Sequence, residues 1–211
     1  MNILILGPQG SGKGTQALLL AKKFDLLYVE MGSILRELSK KDAEIDKLIN
    51  QEGKLVPDEK TAEVFRDFLV KNPLGNKKGL ILDGFPRTQV QYEFVKDYFS
   101  KNGQKLDWAI SIDVSEETSI KRLSARRICK GCGKIYNLLT NPPKSVVCDE
   151  CGGELIQRQD DTDEAIRQRL QIYRERTALL IGVLEKEGIL IKVDGEREVH
   201  TIFNDICSQL V

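Results

Sequence analysis

The run Gly7-Pro8-Gln9-Gly10-Ser11-Gly12-Lys13 has the spacing of a loop that wraps phosphate. Its glycines allow backbone conformations closed to other residues, so N–H groups can gather around phosphate oxygens. Lys13 supplies a point charge suited to β- and γ-phosphates. In such loops the next position carries a Ser or Thr whose hydroxyl reaches Mg²⁺. Here that position is Gly14, and Thr15 comes one place later. The apolar run Asn2–Leu6 leads into the loop and a helical pattern, Gly14–Phe24, follows it. The helix N-terminus therefore adds unpaired donors and a favourable dipole. Nucleotide binding through Gly10, Ser11, Gly12, Lys13, Gly14 and Thr15 is expected; the loop is silent about what receives a phosphoryl group.

A second chemical signal lies further along. Cys129-x-x-Cys132 and Cys148-x-x-Cys151 are separated by fifteen residues, with Gly131 and Gly133 beside the first pair. The spacing fits a tetrahedral four-cysteine zinc site; disulfides are the alternative. All four ligands would come from the protein, so the Zn²⁺ is expected to be structural rather than catalytic. Zinc ribbons often contact nucleic acid. Between Cys129 and Cys151, however, Lys130, Lys134 and Lys144 are offset by Asp149 and Glu150, and Tyr136 is the sole aromatic. That is a poor nucleic-acid surface.

These groups need a scaffold. A chain of 211 residues can bury a substantial core. Its 32 basic and 32 acidic residues cancel, so no global field draws it to nucleic acid or to an anionic membrane. No apolar run approaches a membrane span, and the apolar stretch at the N-terminus is too short for a secretion signal. A cytoplasmic location is expected. Asn2–Leu6, Leu26–Val29, Leu80–Leu82, Trp108–Val114 and Ile189–Val193 read as short buried strands. Gly14–Phe24, Thr61–Lys71, Gln89–Asn102, Glu116–Ile128, Asp163–Lys186 and Glu198–Leu210 carry helical spacing. The alternation predicts an α/β fold: a doubly wound parallel five-stranded sheet with helices on both faces and ligands beyond its carboxyl edge. Residues 30–59 and 122–158 interrupt the alternation and read as insertions into a core made of 1–29, 60–121 and 159–211. Arg122 and Arg126, four apart, would share one face of a helix, whereas Arg167 and Arg169, two apart, cannot both point inward. His200 and Cys207 on the last helix, and Trp108 at the start of a strand, read as surface or core residues.

Four motifs in order resemble the adenylate kinase family of nucleoside monophosphate kinases. They are Gly7–Gln16, the segment Asp83-Gly84-Phe85-Pro86-Arg87-Thr88, the segment Arg122-Leu123-Ser124-Ala125-Arg126-Arg127, and Arg158-Gln159-Asp160-Asp161 with Arg169 beyond. The resemblance implies reversible, Mg²⁺-dependent transfer of the γ-phosphoryl group of ATP to AMP, giving two ADP. It makes residues 30–59 the monophosphate-binding insertion and 122–158 a zinc-braced lid. Lys13, Arg87, Arg122, Arg126, Arg158 and Arg169 would neutralise the phosphates, and Asp83 would orient Mg²⁺ and its waters. Arginine suits that task because its planar fork makes paired bonds to phosphate oxygens. Met31, Arg36, Lys54, Leu55, Val56, Gly84, Arg87, Gln91, Arg158 and Arg169 would hold AMP. The ATP adenine would lie against Arg122 near Gly195, Glu196 and Arg197. Asp160 and Asp161 would sit at a helix start, stabilising its dipole, or near the hinge of the lid and the reacting phosphates. The resemblance also implies a monomer.

The acceptor side departs from the family in places. Met31 stands where members usually have a Thr whose hydroxyl meets the AMP base, and Glu30 and Ser33 differ as well. Losing that hydroxyl removes about 1 kcal/mol of hydrogen bonding. Gln91 favours AMP, because pyrimidine-specific relatives tend to carry Asn there. The competing readings are the same chemistry on UMP or CMP, and a nucleotide-binding module whose zinc ribbon contacts nucleic acid.

Overall fold

A computed structural model of the chain describes residues 1–52, 54–158 and 161–210. β1 (Ile3–Leu6) enters the phosphate loop, and α1 (Lys13–Phe24) leaves it. β2 (Leu27–Glu30) is followed by α2 (Met31–Ser39), α3 (Ala43–Asp46) and a π-helical turn at Lys47–Gln51. Next come α4 (Asp58–Lys71), β3 (Leu80–Asp83), α5 (Gln89–Lys101), β4 (Trp108–Asp113) and α6 (Glu116–Ser124). Three short strands follow: β5 (Arg126–Cys129), β6 (Ile135–Asn137) and β7 (Leu155–Ile156). The chain closes with α7 (Asp163–Ile172), a π-helical turn at Tyr173–Thr177, α8 (Ala178–Lys186), β8 (Leu190–Asp194) and α9 (Val199–Gln209).

The expected five-stranded sheet is present in the order β2-β3-β1-β4-β8, with every pairing parallel. Side chains alternate across a strand, and β1 divides accordingly. Leu4 and Leu6 join a core built with α4, α5 and α8, while Ile3 and Ile5 join one built with α1 and α9. Both faces are thus covered, and for that reason the strands read as unbroken apolar runs. Crossing from β3 to β1 to β4 places the ends of these strands side by side, at the edge where the phosphate loop begins.

Two expectations need correction. The helix predicted to continue from Glu116 to Ile128 stops at Ser124, and Arg126 opens β5 instead. Asn137 Nδ2 donates to the Arg122 carbonyl at 2.8 Å and the Leu138 N–H to the Ala125 carbonyl at 3.0 Å. These long-range donors take carbonyls from the end of the helix. β5 then pairs antiparallel with β6 and β7 and carries Cys129. Arg122 and Arg126 therefore share no helical face. The long helix predicted over Asp163–Lys186 exists, but a π-helical turn interrupts it. Among the described residues no helix is long and apolar enough to cross a membrane.

Candidate active site

A cleft of about 1160 Å³ opens at the carboxyl edge of the sheet. The phosphate loop forms its floor. Gly12 is the N-cap of α1, with φ 87° and no side-chain cap, so the first-turn N–H groups are left for a ligand. Gly10, at φ +84°, packs so tightly that a β-carbon would stand 2.9 Å from the Ser119 carbonyl oxygen. Only glycine fits that approach. Gly10 through Thr15 all line the cleft.

Around this floor the structure gathers the cations that the sequence singled out. Lys13, Arg36, Arg87, Arg122, Arg126, Arg158 and Arg169 line one continuous cleft, although they come from six separate stretches of chain. Lys13 Nζ donates to the Pro8 carbonyl at 3.2 Å. Burial lowers its pKa to about 8, against the opposing pull of Asp83. Burial likewise lowers the Arg87 value, and Arg87 Nε donates to the Gly84 carbonyl at 2.8 Å. Arg122 Nη1 reaches the Gly10 carbonyl at 3.3 Å and the Gly195 carbonyl at 3.0 Å, so it ties the phosphate loop to the segment after β8. That segment, with Glu196 and Arg197, lines the cleft as well. Arg167 turns away, 4.0 Å from Glu116 and two-thirds exposed.

The carboxylates are few and placed. Asp83 ends β3, is 5% exposed, and lines the cleft beside Lys13 and Gly14. Burial raises its pKa, while Lys13 pulls it down. Asp161 is buried and accepts from Arg126 and Arg169. Asp160, expected beside it, lies outside the described residues. A short antiparallel sheet with cysteine-bearing turns overhangs the loop, since Cys132, Asn137 and Thr140 line the same cleft.

At the other end stand Arg36, Lys54, Leu55, Val56, Gly84, Arg87 and Gln91. Gln91 is 2% exposed, and two neighbours fix its amide. The Arg87 N–H donates to its Oε1 at 2.7 Å, and its Nε2 donates to Asp58 Oδ1 at 2.8 Å. One lone pair and one N–H remain for a ligand. Met31 behaves differently from the sequence expectation. Its side chain is 1% exposed, packs in the same core cluster as Leu6, Leu82 and Phe85, and does not line the cleft. The physical reason is its place as the first residue of α2 directly after β2, where an apolar chain joins the sheet core.

The four cysteines converge. Their sulfurs all lie within 4.8 Å of one another, with Cys129–Cys151 at 3.4 Å and Cys132–Cys148 at 3.6 Å. Sulfurs at about 2.3 Å from a tetrahedral Zn²⁺ stand roughly 3.8 Å apart, so the cluster fits zinc. The cysteines form no disulfide. Tyr136 is 2% exposed; its hydroxyl lies 3.4 Å from Cys148 Sγ and accepts from the Asp149 N–H at 2.8 Å. The contact between the Tyr136 hydroxyl and the Cys148 sulfur lowers the Cys148 pKa to about 6, which favours the thiolate a metal requires.

Sequence reasoning did not single out Tyr28, Asp58 or the pairing of Glu30 with Arg36. Tyr28 Oη donates to Asp83 Oδ2 at 3.0 Å, and Arg36 Nη2 donates to Glu30 Oε1 at 3.0 Å. The signal for Tyr28 was faint: a polar tip on a short strand that ends at the phosphate edge.

Comparison with known proteins agrees with this geometry. The sequence model of the family described as adenylate kinase matches residues 5–189. The adenylate kinase of Caldanaerobacter subterraneus subsp. tengcongensis is 41% identical over all of this chain and 96% of its own. That of Methanothrix thermoacetophila is 42% identical over all of this chain and 98% of its own. The Archaeoglobus fulgidus adenylate kinase is 40% identical over 98% of this chain and 96% of its own. A match of this extent, on a cleft with this floor and these arginines, places the chain in the adenylate kinase family.

Proposed function

We propose that the protein transfers the γ-phosphoryl group of ATP reversibly to AMP, giving two ADP, in a Mg²⁺-dependent reaction. One observation carries this reading: seven cationic side chains from six stretches of chain line a single cleft of about 1160 Å³. That volume lies above the range of one small-molecule pocket, roughly 300–1000 Å³, and leaves room for two nucleotides end to end. Lys13 and the first turn of α1 hold the β- and γ-phosphates of ATP, with its adenine along Arg122 toward Arg197. Arg36 and Arg87 hold the acceptor phosphate; Gln91, Gly84 and the Lys54–Val56 backbone hold its nucleoside. Arg122, Arg126, Arg158 and Arg169 surround the moving group, where charge develops on the equatorial oxygens. The acceptor is already an oxyanion, so no general base is needed. Mg²⁺, with Asp83 orienting it, would supply neutralisation of phosphate charge.

In this reading, residues 30–59 form the acceptor-binding insertion and 122–158 the lid, braced by structural Zn²⁺ on Cys129, Cys132, Cys148 and Cys151. A braced lid delivers its arginines as one body and excludes water that would otherwise hydrolyse ATP. The protein works as a cytoplasmic monomer, without nucleic acid or membrane partners. The alternative is the same chemistry on UMP or CMP; because Met31 is packed in the core, the base would be met by Gln91 rather than by residue 31. The test is ADP formation from ATP, Mg²⁺ and each monophosphate in turn, with Lys13→Ala and Arg87→Ala as controls. A pyrimidine preference would overturn the choice of AMP, and absence of any transfer would overturn the function.

A further inference from the structure

Position 14 poses a problem that the rest of the cleft answers. A glycine stands where other phosphate loops place the hydroxyl that assists Mg²⁺. The backbone does not require this glycine: Gly14 lies inside α1 and not in the left-handed region. Its neighbours explain it better. A β-carbon at position 14 would stand 3.2 Å from Asp83 Oδ2 and 3.7 Å from Tyr28 Oη. The space that a Ser or Thr side chain would enter is therefore taken by a carboxylate and a phenol bonded to each other at 3.0 Å.

The sheet makes this meeting possible. β2 and β3 pair in parallel, with Glu30 opposite Asp83 and Tyr28 two residues earlier on the same strand. Because Tyr28 and Glu30 share a face, the long phenol can reach forward to the carboxylate that ends the neighbouring strand. Asp83, Tyr28 and Gly14 all line the cleft.

We propose that Tyr28 is a positioning residue of the metal–nucleotide site: its hydroxyl, occupying the room left by Gly14, fixes the Asp83 carboxylate for the divalent cation carried by ATP. This rests on the function proposed above. Tyr28 itself touches neither phosphate nor cation. It removes the rotational freedom of Asp83 by holding one oxygen, and the carboxylate retains lone pairs for the waters of the cation.

The experiment uses the whole 211-residue chain, purified with zinc present. Tyr28→Phe deletes the hydroxyl and keeps the ring. Mn²⁺ binding to the protein–ATP complex, without acceptor, is followed by electron paramagnetic resonance, and binding of metal-free ATP by calorimetry. We expect the Mn²⁺ concentration for half-saturation to rise three- to tenfold, metal-free ATP affinity to stay unchanged, and turnover to recover as Mg²⁺ is raised. Gly14→Ala provides a second arm that leaves the Tyr28 hydroxyl in place. Its methyl group would crowd Asp83 Oδ2, so it should shift Mn²⁺ binding in the same direction, and it carries the test if Tyr28→Phe fails to fold. Wild-type Mn²⁺ affinity in the folded variants would overturn the proposal and reduce the bond to packing. Failure of the unaltered protein to make ADP would instead overturn the parent function.

Discussion

Asp161 and Arg126 meet as a paired bond, Nε donating to Oδ2 at 2.8 Å and Nη2 to Oδ1 at 2.5 Å. Arg169 Nη2 approaches the same Oδ1 at 3.4 Å, and the Asp161 side chain is wholly buried. One carboxylate thus aligns two arginines that the proposed reaction needs at the moving phosphoryl group. Asp161→Ala removes the carboxylate that takes two bonds from Arg126 and one from Arg169. Removing one partner of a buried charge pair destabilises by about 3 kcal/mol. We expect that loss in urea denaturation, with kcat reduced at least tenfold while the KM for ATP changes less. An unchanged kcat would show that the arginines hold their positions without Asp161.

The phosphate loop, the five strands and the cysteine quartet were legible because each depends on short-range spacing. Gly7 to Lys13 is a local pattern, and Cys129-x-x-Cys132 is a local knuckle. The rest depends on contacts that spacing does not encode. Asp83 and Tyr28 are 55 residues apart, and Arg126 and Asp161 are 35 apart. Helical periodicity ran past Ser124 into Arg126 because Ala125 and Arg126 suit a helix locally. Pairing with β6 and β7 overrode that preference. Met31 matches a base-binding position of the family in sequence, but an unbranched apolar side chain next to a strand end is drawn into the core.

Lys13 gives opposite signs for activity and stability. Its folded pKa of about 8 lies below the ordinary 10.5, with burial as the cause. In the free enzyme its charge is therefore lost as pH rises through about 8. We expect kcat/KM for ATP to fall on that limb, while kcat persists further, because bound phosphate restores the ammonium. Between about 8 and 10.5 the folded chain binds fewer protons than the unfolded chain, so this group makes stability rise with pH. Lys13→Ala should remove both the alkaline limb and roughly 10²- to 10³-fold of kcat/KM.

The cysteine cluster predicts a zinc-to-chain ratio near one in reduced protein. A strong chelator should melt the short antiparallel sheet as a separate transition below that of the main sheet, because β5–β7 share few apolar contacts beyond Leu155, Tyr136 and the cysteines. Tyr136→Phe removes the hydroxyl that lowers the Cys148 value to about 6. Protons then compete better for that thiolate, so zinc affinity near pH 7 should fall and the pH for half-loading should rise. A chromophoric chelator competition across pH checks this. An unchanged loading curve would mean that the tyrosine only packs.

Asp58 and the Arg87 N–H fix the Gln91 amide, so its order of donor and acceptor is set before a base arrives. The free N–H suits an acceptor such as adenine N1, and the free lone pair suits a donor such as the adenine 6-amino group. Cytosine shows the same order on a smaller ring, whereas guanine and uracil present a ring N–H beside a carbonyl. Under the proposed function, AMP is preferred strongly over GMP and UMP, and CMP is separated only by size. Asp58→Ala frees the amide to turn over. The expected result is a KM for AMP raised about three- to tenfold, equivalent to roughly one hydrogen bond, with GMP and UMP gaining relative to AMP and kcat largely kept. Steady-state assays across the four monophosphates decide the matter. If selectivity survives Asp58→Ala, the base is read by something other than the held amide.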